Sequence, residues 1–467
     1  MEIRMRTLKQ TTLVTVVLLA GIVSGCGGGG ASKPIVGTVA QTITFPNPGT
    51  QTAGTTQPLS TNASSNAVVT LTSTTPGVCS VTGTTATFLN AGTCTIDAAQ
   101  SGNSTYAPAT QVAQSFTVNP AIPPNTTIYI AGYAISATST VSNIVNDAVV
   151  WKLASGTPTA TASTLSMPNG MTNAEANAVA VSGTNEYVVG FGWNNTVTSA
   201  VYWLNNAATI LPSSMGLARA YAIAISGGNV YVAGFEADNA NNSSAVLWVN
   251  GTQTTLPAPS GMKDASAIAI AVSGSDVYVA GFATDANGEA NGVLWVNGAA
   301  TALPSPSGLA GSVIANSIAV SGGNVYVSGF SNPNAGNEAA VTWVNGGVAT
   351  TLPIPAGDSA QGYGANAIGV LGGDVYVAGS GVNSALGYST VALWQNGVGT
   401  SLPMPTNLNS SLESASADGI GFVGSDVYLV GSAGTTASYW VNGGAGTLLP
   451  LPSNNQSWAN AITVVTQ

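Results

Sequence analysis

From residue 127 to its end the chain repeats one pattern seven times. In the cleanest copy, Ala222-Ile223-Ala224-Ile225-Ser226 runs through a Gly227-Gly228-Asn229 turn into Val230-Tyr231-Val232-Ala233-Gly234-Phe235. A polar loop, Ala245-Val246-Leu247-Trp248-Val249, an Asn250-Gly251 turn and Thr255-Leu256-Pro257 follow. Tyrosines recur at 129, 187, 231, 278, 326, 376 and 428, and tryptophans at 151, 203, 248, 295, 343, 394 and 440, spaced by 44 to 58 residues. A unit this short cannot bury its own apolar faces, so the copies must stack and share a core. Short β-branched runs joined by Gly-Asn and Asn-Gly predict four antiparallel strands per copy.

Seven such units are the content of an all-β chain folded as a seven-bladed β-propeller. The first unit begins at its tyrosine strand, Thr127-Ile128-Tyr129-Ile130-Ala131-Gly132, with no strand before it, while Asn460-Ala461-Ile462-Thr463-Val464-Val465 is left over at the end. Head and tail are therefore expected to share one blade, so that the C-terminal strand closes the ring and leaves no free edge. The Tyr and Trp series are assigned to packing, each ring burying about 150–250 Å². With Ala233-Gly234-Phe235, Leu247-Trp248-Val249-Asn250-Gly251 and Leu256-Pro257, the unit resembles the extracellular HAF-type repeat of bacterial secreted proteins over residues 127–467. That resemblance implies export and a propeller-like fold; it carries over no catalytic residue.

The N-terminus has the order of an export signal: Arg4, Arg6 and Lys9, then an apolar stretch from Leu13 to Val23 that is too short to span a bilayer comfortably. Val23-Ser24-Gly25-Cys26 resembles the bacterial lipobox, which implies cleavage before Cys26, lipidation of its thiol and attachment to a membrane. Gly27 stands where the lipoprotein pattern places an inner-membrane retention Asp, which implies the outer membrane or cell surface. Gly27 to Gly30 and the residues after them form a flexible tether.

Between Gln41 and Asn119, β-branched runs at Val68–Thr72, Ala86–Leu89, Cys94–Ile96 and Ser115–Val118 alternate with turn residues. Through Gln41-Thr42-Ile43-Thr44-Phe45-Pro46, Thr75-Pro76-Gly77-Val78-Cys79 and Ala91-Gly92-Thr93-Cys94-Thr95-Ile96, this stretch resembles the bacterial Ig-like modules of surface proteins. That implies a small β-sandwich serving as a spacer. Cys79 and Cys94, on two neighbouring predicted strands of an exported chain, are expected to form a disulfide. The expected division is a signal peptide (1–25), lipidated Cys26 and tether (26–40), an Ig-like module (41–119), a Pro-rich linker (120–126) and the propeller (127–467).

Composition narrows function. Only 5% of residues are charged, with 7 basic against 17 acidic and no histidine. Setting residues 1–25 aside leaves a formal charge of about −12. Nucleic acid is thereby disfavoured as a partner, because phosphate neutralisation needs clustered Lys and Arg. A Ser–His–Asp or Cys–His mechanism is impossible without histidine. A carboxylate pair, as in glycosidases, is the enzymatic route left, and no pair stands out, so the expectation is a non-enzyme without a cofactor.

In a four-stranded blade, two sets of connections emerge at opposite ends. Gly227-Gly228-Asn229, Asn250-Gly251, Gly274-Ser275-Asp276 and Asn297-Gly298 are tight, whereas Glu236–Ser244, Ala283–Gly292, Pro353–Gly364 and Pro403–Asp418 are long. The long-loop face is the expected interaction face, because loops on a rigid scaffold carry binding. It collects Asp147, Glu175, Glu236, Asp238, Asp264, Asp285, Glu289, Glu338, Asp358, Glu413 and Asp418 against Arg219 and Lys263. Trp193, Tyr363, Tyr388 and Trp458 are its candidate contact aromatics, for an unknown protein or glycan. Asp285, Asn287 and Glu289 form the best oxygen cluster for Ca²⁺, without completing a calcium-loop pattern. Solubility of a surface loop is the favoured account of the acids, ahead of a cationic partner or Ca²⁺. Asp276, Asp374 and Asp426 occupy the turn position of Asn229 and are assigned to turns.

Overall fold

The computed structural model describes residues 37–466 apart from 141–143, 158, 308–310, 334–337, 357, 359, 384–386, 406–407, 409–413 and 452–455. Cys26 and the export signal lie outside the described residues, as does Glu413. No helix occurs among the described residues, which are all-β.

From Thr126 onward the described strands form seven four-stranded antiparallel sheets, six of them each built from consecutive strands. The second, for example, runs Asn173–Ser182, Asn185–Trp193, Thr198–Leu204 and Ala207–Ile210 from inner to outer edge. The first sheet is composite. Its strands Thr126–Ile135, Asn146–Ala154 and Thr161–Thr164 come from the head of the repeats, and its inner strand is Ser457–Thr466 from the tail. Ile128 pairs with Val464 and Ile130 with Ile462. Each inner strand packs against the inner strand of the next sheet, and Ser457–Thr466 packs on both Ala415–Val423 and Asn173–Ser182, so the succession closes on itself. This radial stacking of twisted sheets is a β-propeller fold.

Local chemistry explains each joint. The Asn of the Asn-Gly hairpin between the third and fourth strands takes positive φ, near 50° in Asn250, Asn297, Asn345, Asn396 and Asn442, as a type I′ hairpin requires. Its side chain bridges the neighbouring hairpin: Asn297 accepts from the Val277 N–H at 2.9 Å and donates to Asp276 at 2.9 Å. Asn396 and Asn442 likewise donate to Asp374 and Asp426, so the three aspartates are turn partners.

The seven repeat tryptophans are fully buried. Each indole N–H donates to a carbonyl just after the outer strand of the preceding sheet: Trp248 to Pro212, Trp295 to Pro257, Trp343 to Pro304, Trp394 to Pro353 and Trp440 to Pro403, at 2.6–3.0 Å. Trp151 closes the set on Pro450, and Trp203 uses Ser166, which follows Leu165 where other repeats have Leu-Pro. The recurring Leu-Pro is thus the acceptor for the next repeat's Trp. The tyrosines behave less uniformly: Tyr376 and Tyr428 are buried, while Tyr129, Tyr187, Tyr231, Tyr278 and Tyr326 are half-buried near the tight turns.

The N-terminal module has its own core. A sheet of Thr56–Pro58, Thr85–Phe88 and Cys79–Thr82 faces one of Gln51–Thr52, Val112–Asn119, Gly92–Ala99 and Thr70–Ser73. Phe88 and Phe116 meet edge to face between them, with Ile96 fully buried. Cys79 and Cys94 are disulfide-bonded, but on strands of different sheets, so the bond ties the sheets together instead of joining neighbours in one. The module abuts the seventh sheet, where Tyr439 is hydrogen-bonded to Asn119.

Candidate functional site

The inner strands enclose an axial channel of about 530 Å³. Its wall repeats one irregularity. In each sheet the pairing of the inner strand with the second strand skips a single residue that follows a buried alanine: Asn177, Tyr221, Ile268, Asn316, Asn366, Asp418 and Asn460. Such a bulge re-aims the extra side chain, and all seven line the channel. The bulge also presses a carbonyl against the partner strand. A Cβ on Gly190, Gly234 or Gly281 would collide with the carbonyl of Glu175, Arg219 or Ser266. The glycine of the repeated Ala-Gly-Phe is therefore what admits the bulge.

Four of the ring residues stitch sheets together. Asn460 Nδ2 donates to the Ala176 carbonyl at 2.9 Å, Asn177 to Ala220 at 2.8 Å, Asn316 to Ala365 at 3.3 Å and Asn366 to Ala417 at 3.0 Å. Asp418 holds the equivalent place in the seventh sheet, where an ionised carboxylate has no proton to donate. It accepts from Ser416 Oγ at 2.8 Å and Asn366 Nδ2 at 3.2 Å. Burial pushes its carboxyl up to about 6 against those two hydrogen bonds.

One layer toward the long-loop end, an arc across the first three sheets concentrates the remaining chemistry. Tyr133 and Trp458 stack at 4.9 Å, both half-buried. Burial, then the charges of Glu175 and Asp418, push the Tyr133 hydroxyl up to about 12, so the three groups share one field. Burial raises the Glu175 carboxyl as well, opposed by a 2.8 Å hydrogen bond from Asn146 and by the Arg219 charge. The Arg219 guanidinium lies 4.3 Å from the Phe191 ring centroid, and Tyr221 stacks on Phe235 at 5.8 Å.

The structure redistributes the residues expected on the loop face. Glu236 is 1% exposed and is no surface acid. Burial pushes its carboxyl up, but hydrogen bonds from Ser214, Gln253 and Ser213 outweigh that and hold it below the usual range. It pins the connection at Ser213–Met215. Tyr363, expected exposed, is 3% exposed, and its hydroxyl donates to Asp358, which also accepts from Ser401 at 2.7 Å. Both acids are spent on anchoring loops. Asp238 accepts from the Asn242 side chain and from the Ala240 and Asn242 N–H groups, which hold its carboxyl low. Asp285 accepts from the N–H groups of Asn287 and Glu289, an Asx turn. Those two hydrogen bonds bring Asp285, Asn287 and Glu289 together in one turn.

The expected long loops are also shorter. Strands cover Ala283–Thr284 and Ala290–Val296, and Asp418 lies within Ala415–Val423, on the channel wall. Glu338 joins the mouth region: it bridges to Gly362, and its carboxyl, raised by burial, lies against Gly364. Trp193 stacks on Phe191 at 5.2 Å, and Tyr388 opens a strand, half-buried. The bulge ring went unread in the sequence, although Ala-Asn-Ala at 176–178, 365–367 and 459–461 is a visible signal for it.

No family model matches the sequence, and no curated protein matches it. Solved structures do. "YCF48 bound to D1 peptide" is similar at 12% identity over 71% of this chain and 94% of its own, with a TM-score of 0.40. TolB from Acinetobacter baumannii matches at 12% over 72% and 82%, TM-score 0.38. An α-L-arabinofuranosidase from Clostridium thermocellum matches at 12% over 51% and 96%, TM-score 0.28.

Proposed function

We propose that this chain is an exported lipoprotein, anchored to the outer membrane or cell surface through Cys26, whose repeats form a seven-bladed propeller carried on an Ig-like module. The propeller acts as a non-catalytic recognition module through its long-loop face. One observation carries this reading: at the tight-turn end the turn Asn and Asp side chains are consumed by one another, whereas Glu175, Arg219 and the Tyr133–Trp458 stack gather at the open end. A scaffold regular at one end and chemically varied at the other suits binding.

A carboxylate glycosidase is the second reading, favoured by Glu175 and Asp418, whose carboxyls burial holds above the ordinary range near one channel. The test is capture of envelope components on the full mature chain in detergent, with calcium and with chelator. Saturable capture without cleavage, unchanged by Asn250→Ala at the tight end, supports recognition; release of reducing sugar ends supports hydrolysis. No capture in either buffer by a folded chain leaves a purely structural envelope role.

A further inference from the structure

We propose that the arc formed by Tyr133, Trp458, Glu175, Arg219 and Asp418 at the channel mouth is a binding site for a neutral hexopyranose glycan. The inference rests on the recognition reading above and names its ligand class and its place.

The arc combines two features that a sugar ring uses together. The Tyr133–Trp458 stack, half-buried with rings 19° from parallel, offers a flat apolar platform of the kind the C–H face of a pyranose covers. Around it, acceptors alternate with donors. Glu175 and Asp418 accept, and the Tyr133 hydroxyl lies in the field of both. Arg219 donates. It is the sole arginine after Arg6; its charge reaches the Glu175 carboxyl and its guanidinium bonds the Tyr221 hydroxyl, while the close ion pairs among the described residues are Lys152–Glu186 and Lys263–Asp264. Its Nε is buried beside Phe191 without a hydrogen-bond partner, a cost that a purely structural arginine would not be expected to carry.

Electrostatics then selects among ligands. A multivalent cation would meet the Arg219 guanidinium, whose charge reaches Glu175. A polyanion meets Glu175, Glu338 and Asp418 against a single guanidinium. Hydroxyl groups both donate and accept, so a neutral polyol satisfies acids and arginine at once. Just below, the ring asparagines donate through Nδ2 to backbone carbonyls, which leaves amide oxygens as further acceptors along a channel of about 530 Å³. That volume is in the range of small-molecule pockets.

The experiment is titration calorimetry of the full mature chain in detergent against neutral gluco-, galacto-, manno- and chito-oligosaccharides and a polyuronate, with tryptophan fluorescence as second readout. One neutral series is expected to bind and the polyuronate to bind at least about tenfold more weakly. Trp458→Ala should weaken binding by about tenfold or more. Because Trp458 lies in the closing strand, the shape-conserving Glu175→Gln and the Arg219→Gln variants are measured as well, each expected to lose affinity with an unchanged melting temperature, while Asp285→Ala keeps it. Envelope capture with no binding to any oligosaccharide overturns the glycan site and leaves recognition standing. Binding unaffected by all three arc variants also overturns it, and loss of both capture and glycan binding removes the two readings together.

Discussion

The two ends of the seven sheets are built from the same strands and obey different rules. At the tight-turn end, five Asn-Gly turns share one φ near 50° and one hydrogen-bonding scheme, and their Asn or Asp partners are interchangeable. Toward the open end, the backbone still repeats, with a bulge at the same place in every sheet. The side chains it presents do not: amides at four positions, then a phenol, an isoleucine and a carboxyl. Backbone geometry demands repetition, because every copy must fit the next. The channel surface is freed from that demand, and there the chain can vary its chemistry.

The largest effect is expected where the bulge meets its partner strand. Gly281→Ala places a methyl group against the Ser266 carbonyl and should destabilise the fold by about 3 kcal/mol or more, read from denaturant midpoints. The same substitution at Gly298, where nothing lies near, acts through its positive φ alone and should cost about 1–2 kcal/mol. Equal losses at the two sites would break the comparison.

Asp418→Asn sharpens it in the opposite direction. The folded carboxyl titrates near 6 against an ordinary value of 3.8, so between those values the folded chain holds the proton more tightly than the unfolded chain does. Stability therefore falls as pH rises through that window and stays lower above it, by up to about 3 kcal/mol. The asparagine variant should melt higher than the parent at pH 8, with the difference vanishing near pH 4, and it gains an amide where four sister positions use one to stitch sheets. A variant that melts lower at pH 8 would mean the ionised carboxylate has a role the ring geometry does not give it.

The smallest effect belongs to the tight end. Asn297→Ala loses an acceptor for the Val277 N–H and a residue type at ease at positive φ, and should cost about 1–2 kcal/mol without altering ligand capture.

What the sequence determined by itself was the periodic part. Strand number per repeat, hairpin turns, the turn role of Asp276, Asp374 and Asp426, and the sharing of the first sheet between head and tail were all legible, because local φ preferences and alternation set them. The Cys79–Cys94 pairing was legible from spacing, but not that it joins two sheets. Only the tertiary structure decided which acids remain available. Glu236 and Asp358 look like loop acids in a string of letters, yet they are held by hydroxyls and N–H groups up to 43 residues away. Asp418 and Glu175 look no different, yet ring closure brings them to one axis beside Tyr133, from opposite ends of the repeat array. Short-range geometry is written in each repeat, whereas a site on the axis exists only once all the sheets meet around it.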